Sequence, residues 1–410
     1  MLKLKQYIAE EKNVHMEHLE DLVFNEGVSG LRKAIKFLRD LRDMLSGHSK
    51  SKVTATVKWD GAPAIFAGVD PRDGQFFVAK KGIFAKTPKI YKTQADINAD
   101  LTGELKDKFT IALKEFSKLG IKSGVYQGDL MFTSGDLKKE TIDGEDYVTF
   151  HPNTIVYAVP FSSELGKSIR AAKIGVVWHT TYSGSSFDSM TASFGKSITD
   201  KFNQSSSIWM DDATYKDYSG VATFTAAETA AITDVLSHVG KLFQQVSGAA
   251  IDYISKDPDL LMLVKTYNNS KVRAGEKISN TSAHVEGLFH YIADRYQKEI
   301  DSKKTEKSKQ QWEEKKKKVM QFFIQHPKSD IVKIFDLMNM IADAKQMIID
   351  KMNEAGHIRT FLKTTSGFRV TGVEGFVAID RLSGGAVKIV DRMEFSKSNF
   401  SSDILKGWQR

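Results

Sequence analysis

Residues 1–50 place apolar side chains at helical spacing. Leu31, Ala34, Ile35, Leu38, Leu41 and Leu45 recur every three or four positions, with arginines and lysines between them; this spacing predicts an amphipathic helix. From 51 to 184 the period shortens to that of strands. VTATVKW, AIFAGV, QFFVAKKGIF, GVYQGDLMF, DYVTF, TIVYAV and IGVVWHTTY are short runs rich in β-branched and aromatic residues. The clusters WDGAP, DPRDGQ, DGED and HPNT separate them as turns. One helical pattern interrupts the strands at 97–119, with Leu101, Leu105, Phe109, Leu113 and Phe116 on one face.

The pattern then changes twice more. Residues 185–220 are rich in Ser, Asp and Gly and predict a loop-rich linker. Thr225-Ala-Ala-Glu228 has the form of a capping box, opening an apolar-periodic run to about Ile254. Further helices are expected over 281–326 and 329–355. Strand character returns in FRVTGVEGFVAID and GGAVKIVDR, split by a turn at Ser383-Gly384-Gly385. The expected fold class is α+β. An N-terminal helical segment covers 1–50. A domain of antiparallel sheets is formed by 51–184 and 361–410, and a mainly helical insertion occupies 185–360.

Composition narrows the classes of function. No apolar run approaches the roughly 18 residues of a membrane span, and MLKLKQYIAEEKN does not have the form of a signal peptide. The absence of cysteine excludes disulfides, thiolate zinc sites and cysteine nucleophiles, and fits a reducing cytoplasm. A net charge of +8 suits a polyanionic partner such as nucleic acid. Lysines concentrate at 303–318, which reads first as a solvated helix face and second as a nucleic-acid contact. His15 and His18 are read as capping or surface residues in preference to metal ligands.

Candidate chemistry starts at Lys58-Trp59-Asp60-Gly61. A strand-end lysine attacks phosphorus once its amine is deprotonated, and Asp60 and Gly61 form a tight turn beside it; taken alone, the tetrad is an ordinary hairpin turn. Lys80 and Lys81, before Gly82, are a cationic pair able to hold a triphosphate or a 5′-phosphate. Asp129, after Gly128, can accept from a ribose hydroxyl or help place a metal. Tyr157 to Phe161 offer aromatics that either stack on a purine or fill the core. Glu374, on an apolar strand, requires a cationic or metal partner. Lys388 on a late strand can neutralise an α-phosphate.

In this order the residues resemble the ATP-dependent polynucleotide ligases and the capping guanylyltransferases, a superfamily of covalent nucleotidyltransferases. The sharp matches are Lys58-Trp-Asp60-Gly61 and Glu374-Gly-Phe-Val377; Lys80-Lys81-Gly82, Gly128-Asp129, Tyr157 to Phe161 and Lys388 match loosely. The chain departs from the pattern in having lysine for the usual arginine at 80–81, Asp129 for glutamate, and Val390 in place of a second lysine. About 200 residues separate the aromatic strand from Glu374. Only about twenty residues follow Lys388, too few for the OB-fold domain of DNA ligases, so the resemblance leans to the RNA-ligase branch. A phage origin, and then a host cytoplasm, suits such a chain.

The resemblance implies a ligase-type nucleotidyltransferase domain interrupted by the helical insertion. It implies ATP and Mg2+ as cofactors, a lysyl-AMP intermediate on Lys58, and RNA or DNA ends as partners. Lys388 and Glu374 would act in catalysis. Asp60, Gly61, Lys80, Lys81, Asp129, Tyr157 and Phe161 would bind the nucleotide, and Glu374 and Asp129 the metal. Two alternatives remain: a capping-type enzyme using GTP, and a catalytically inactive nucleic-acid-binding protein of the same fold.

Overall fold

The computed structural model describes residues 16–47, 53–216, 222–356, 358–380 and 386–408. His15 and the turn at 383–385 lie outside them. The protein is α+β, with three sheets and a block of six helices within 226–353. No helix among the described residues is long and apolar enough to cross a membrane.

The strands are β1 (Val53–Lys58), β2 (Ala64–Val69), β3 (Phe76–Ala79), β4 (Val125–Thr133), β5 (Lys138–Ile142), β6 (Glu145–Phe150) and β7 (Ile155–Pro160). They continue as β8 (Ile174–Ser183), β9 (Thr191–Phe194), β10 (Ile208–Asp212), β11 (Arg359–Thr364), β12 (Gly367–Val370), β13 (Gly375–Asp380) and β14 (Ala386–Ile389). One sheet has the order β1-β13-β14. The second runs β10-β8-β4-β2-β3, with β9 also on β8, and the third β12-β11-β7-β6-β5. Two late strands therefore complete sheets begun early: β13 pairs antiparallel with β1, and β11 with β7. The helical block is an excursion between strands that pair.

Local signals account for much of this. Thr225 and Glu228 form the capping box, Glu228 N donating to Thr225 Oγ1 (3.2 Å) and Thr225 N to Glu228 Oε2 (2.7 Å). The run behind it is two helices, Ala226–Phe243 and Gly248–Lys256, because Ser247 caps a second start. The pattern at 97–119 is also two helices, Gln94–Asp100 and Gly103–Phe116, broken where Leu101 and Thr102 turn extended. Residues 185–216 depart further from expectation. They add β9 antiparallel and β10 parallel to β8, so the polar stretch serves as sheet edge, not as linker.

The N-terminal helix Gly27–Leu45 buries Leu31, Ala34, Leu38 and Leu41 in one core with the helical block. The same core takes Val53 and Ala55 of β1, Phe376 and Ala378 of β13, and Val387 and Ile389 of β14. Alternation along the strands turns Lys58, Val377 and Lys388 to the opposite face of that three-stranded sheet. Residues 17–21 strap the assembly. Lys388 N donates to Glu17 O (2.9 Å), buried Glu20 pairs with Lys345 (2.9 Å), and Asp21 pairs with Arg392 (2.9 Å). His18 bridges β14 here, and burial lowers its imidazole to about 3.

Candidate functional site

Lys58 ends β1 opposite Gly375, and its ammonium pairs with the carboxylate of Glu374. The Lys58 side chain is 29% exposed and that of Glu374 6%, so the pair opens to solvent from the lysine side. The Lys58 amine also lies 5.8 Å from the Phe395 ring centroid. Gly375 makes the close approach possible. At φ +146° it passes beneath β14, where a Cβ would sit 2.6 Å from Val390 Cγ2 and 2.8 Å from Ile389 O.

The turn after Lys58 is fastened by Asp60. Its buried carboxylate accepts from Asn153 Nδ2 (2.6 Å), Thr154 N (2.6 Å) and Ile155 N (2.9 Å), while its own N–H donates to the Tyr157 hydroxyl (2.7 Å). Burial raises the Asp60 carboxyl despite these bonds, which act in the opposite sense. Gly61 then crosses β4 so closely that a Cβ would meet Asp129 Cβ at 2.5 Å. The turn thereby seats Lys58 beside Asp129 and leaves Asp60 a holder of backbone.

Burial, more than the balance of charge, sets the carboxyls of the cluster. Burial pushes Glu374 up to about 7; Lys58 opposes this, while Asp60 and Asp129 add to it. Burial likewise pushes Asp129 up to about 7 against the pull of Lys58 and exposed Lys81. Lys388 is lowered by burial and by the charge of Lys58, with Glu374 acting the other way. A cavity of about 390 Å³ adjoins the pair, lined by Asp60, Thr154, Glu374, Asp391, Phe395 and Ser398 among others.

Lys58, Asp60, Gly61, Asp129, Glu374 and Lys388 come together, with Lys81 within electrostatic reach of Asp129. Three expected residues sit elsewhere or face otherwise. Lys80 pairs with Asp100 (2.9 Å), which also holds Lys89 (2.7 Å). Both lysines lie past the end of β3: Lys80 turns to Asp100, the last residue of the helix Gln94–Asp100, while Lys81 is exposed in the turn that follows. Phe161, past the end of β7, lies beneath Arg170 (3.9 Å to the ring centroid). Tyr157 is buried, stacked on Phe150 at 5.4 Å and set against Trp59 at 5.2 Å. It positions the turn through its hydroxyl and has no free face for a purine.

Among the described residues no three acids or histidines converge as a self-sufficient metal site. Asp129 and Glu374 fit the other mode of magnesium binding, in which one or two carboxylates share the ion with phosphates and water. Two residues were not anticipated. Asn153 holds Asp60 from a turn whose Pro-Asn reads only as punctuation. His179 lies 3.9 Å from Asp129; its one signal was an ionisable ring within an apolar and hydroxylic strand.

No curated protein and no solved structure matches this chain. Residues 13–404 match the model of DUF6267, a family of unknown function, and the chain belongs to that family.

Proposed function

We propose that the cluster is the active site of an ATP-dependent nucleotidyltransferase, a polynucleotide ligase leaning to RNA. The observation that carries this reading is the pairing of Lys58, at the end of β1, with Glu374, just before β13, with Asp129 and Lys388 close enough to perturb or be perturbed by both. These residues are scattered over more than 300 positions of sequence, and no demand of packing requires two lysines and two acids at one buried place.

In the proposed reaction the Lys58 amine attacks the α-phosphorus of ATP. The bond to the bridging oxygen breaks, pyrophosphate leaves, and a phosphoramidate to AMP forms. The proton lost by the amine passes to Glu374, whose raised carboxyl accepts it near neutral pH. Lys388 offsets charge developing on the α-phosphate, and Lys81 draws the polyphosphate toward the cleft. Asp129 would hold magnesium, with Glu374 as a ligand until it takes up the proton, and the ion would supply further charge neutralisation at the phosphates. AMP then moves to a 5′-phosphate end, and a 3′-hydroxyl displaces it as the ends join. Incubation with α-labelled ATP and magnesium, followed by denaturing electrophoresis, tests the reading: a band that survives denaturation is expected. Parallel labelling with α-labelled GTP separates the capping-type alternative. Val390, standing where a second lysine is usual, favours the inactive alternative; nucleic-acid binding with no adduct from either nucleotide would establish it.

Lys388→Ala should lower the rate of labelling by at least about tenfold, the cost of one charge-assisted contact that strengthens in the transition state. A single-turnover time course checks this, and a near-native rate would place β14 outside the chemistry.

The helix Glu306–Gln325 is the proposed nucleic-acid contact. Lys315, Lys317 and Lys318 are exposed on it, and Lys315 and Lys303 lie 4.7 and 4.9 Å from the Trp312 ring centroid. Replacing lysines 315–318 by glutamine should weaken binding to single strands and nicked duplexes and flatten its salt dependence, because fewer counterions are released. Labelling of Lys58 should persist. Unchanged affinity across a salt series would assign these lysines to solvent alone.

A further inference from the structure

His179 is the extra residue of a β-bulge. Along the β4–β8 pair, Asp129 faces Val177, Gly128 faces Trp178, and Gln127 faces Thr180, so no residue of β4 is paired with His179. Bulges re-aim side chains, and they concentrate beside functional sites. Here Trp178 stays in the helix-side core, packed so tightly over Gly128 that a Cβ there would meet its ring at 3.0 Å. His179 turns to the other face, toward Asp129. Its Nδ1 is engaged by Thr180 Oγ1 (2.7 Å), and its Nε2 stands 3.9 Å from Asp129 Oδ2. Both side chains are about a quarter exposed, at 27% and 23%.

That separation is too long for a hydrogen bond between them. It leaves a slot in which one oxygen can lie at about 2.8 Å from each. A group that both donates and accepts fits between a carboxylate oxygen and a ring nitrogen; a hydroxyl does so.

Building on the nucleotidyltransferase reading, we propose that His179 and Asp129 together hold a ribose hydroxyl of the nucleotide that reacts with Lys58. The site then selects ribonucleotides through a residue that the bulge delivers.

The test is Lys58 labelling with α-labelled ATP, 2′-deoxy-ATP and 3′-deoxy-ATP in the full chain. The native protein should favour ATP over at least one deoxy form by roughly tenfold, the loss expected when polar groups in a site are left without their partner. His179→Ala should bring that ratio to within about twofold, chiefly by raising KM for ATP, while labelling by the discriminated deoxy nucleotide stays near native. Equal use of all three nucleotides by the native protein would overturn the proposal, even if the alanine variant did not fold. So would full discrimination retained by a folded His179→Ala. Labelling with an unchanged ratio defeats this proposal alone; no labelling with any nucleotide defeats the underlying reading and this proposal with it.

Discussion

Lys58→Ala is expected to leave no denaturation-resistant label while the chain keeps its fold. The chemical half of this follows from placement. Lys388 lies on the same face but on β14, beyond β13, and Lys81 is exposed in the turn after β3; neither can occupy the point at which Lys58 meets Glu374. The structural half follows from what the lysine leaves behind. Removing one partner of a buried pair is ordinarily costly, because the other is left as an uncompensated charge. Glu374 escapes most of that cost, since its carboxyl already stands at about 7 and takes up a proton once Lys58 is gone. The apolar face of β1, Val53 and Ala55, is untouched. Electrophoresis after labelling reads the first outcome and a denaturant titration the second. Undiminished label in the alanine variant would remove Lys58 from the mechanism; loss of the native transition would show the pair to be structural.

Glu374→Gln is expected to act on both rate and pH dependence. Labelling should fall at least about tenfold, because the amide neither accepts the proton from Lys58 nor carries charge toward a cation. Stability should respond in a defined window. The carboxyl titrates near 4.5 in an unfolded chain and at about 7 in the fold, so the folded state holds the extra proton between those values. Its contribution is fully present below about 4.5 and is lost as pH rises toward about 7. Asp129, raised from 3.8 to about 7, acts in the same direction over a similar window. From about pH 5 to 7 the stability of the glutamine variant should therefore fall less, or rise more, than that of the native protein, by on the order of 1 kcal/mol per pH unit. His18, His151, His179 and His284, lowered by burial, act in the opposite sense and do so in both proteins. Urea titrations at several pH values measure this. Identical slopes for the two proteins would mean that Glu374 is ionised in the fold well below pH 7.

The amino-acid sequence by itself determined what most of the segments become, because those choices rest on neighbours. The spacing of Leu31 to Leu45 makes a helix, Thr225 and Glu228 start one, and the β-branched runs of 51–184 make strands. It also determined that β structure returns after the helices, although the edges of that block moved: the polar stretch 185–216 gained two strands from the β8 edge it lies against. Only the tertiary structure decided which side chains meet. Which of Lys80 and Lys81 acts on Asp129 is decided past the end of β3, where Asp100 claims Lys80 and Lys81 stays exposed. Tyr157 and Asp60 became anchors because the turn at 59–61 docks on the start of β7. His179 reached Asp129 through one unpaired residue in the β4–β8 register, and a bulge is a property of two strands at once. Lys58 and Lys388 share a face because β13 inserts between β1 and β14, and Glu374, just before β13, reaches Lys58 from the bend that starts the strand. That pairing joins segments more than 300 residues apart, and neighbour-to-neighbour patterns carry no information about partners so remote.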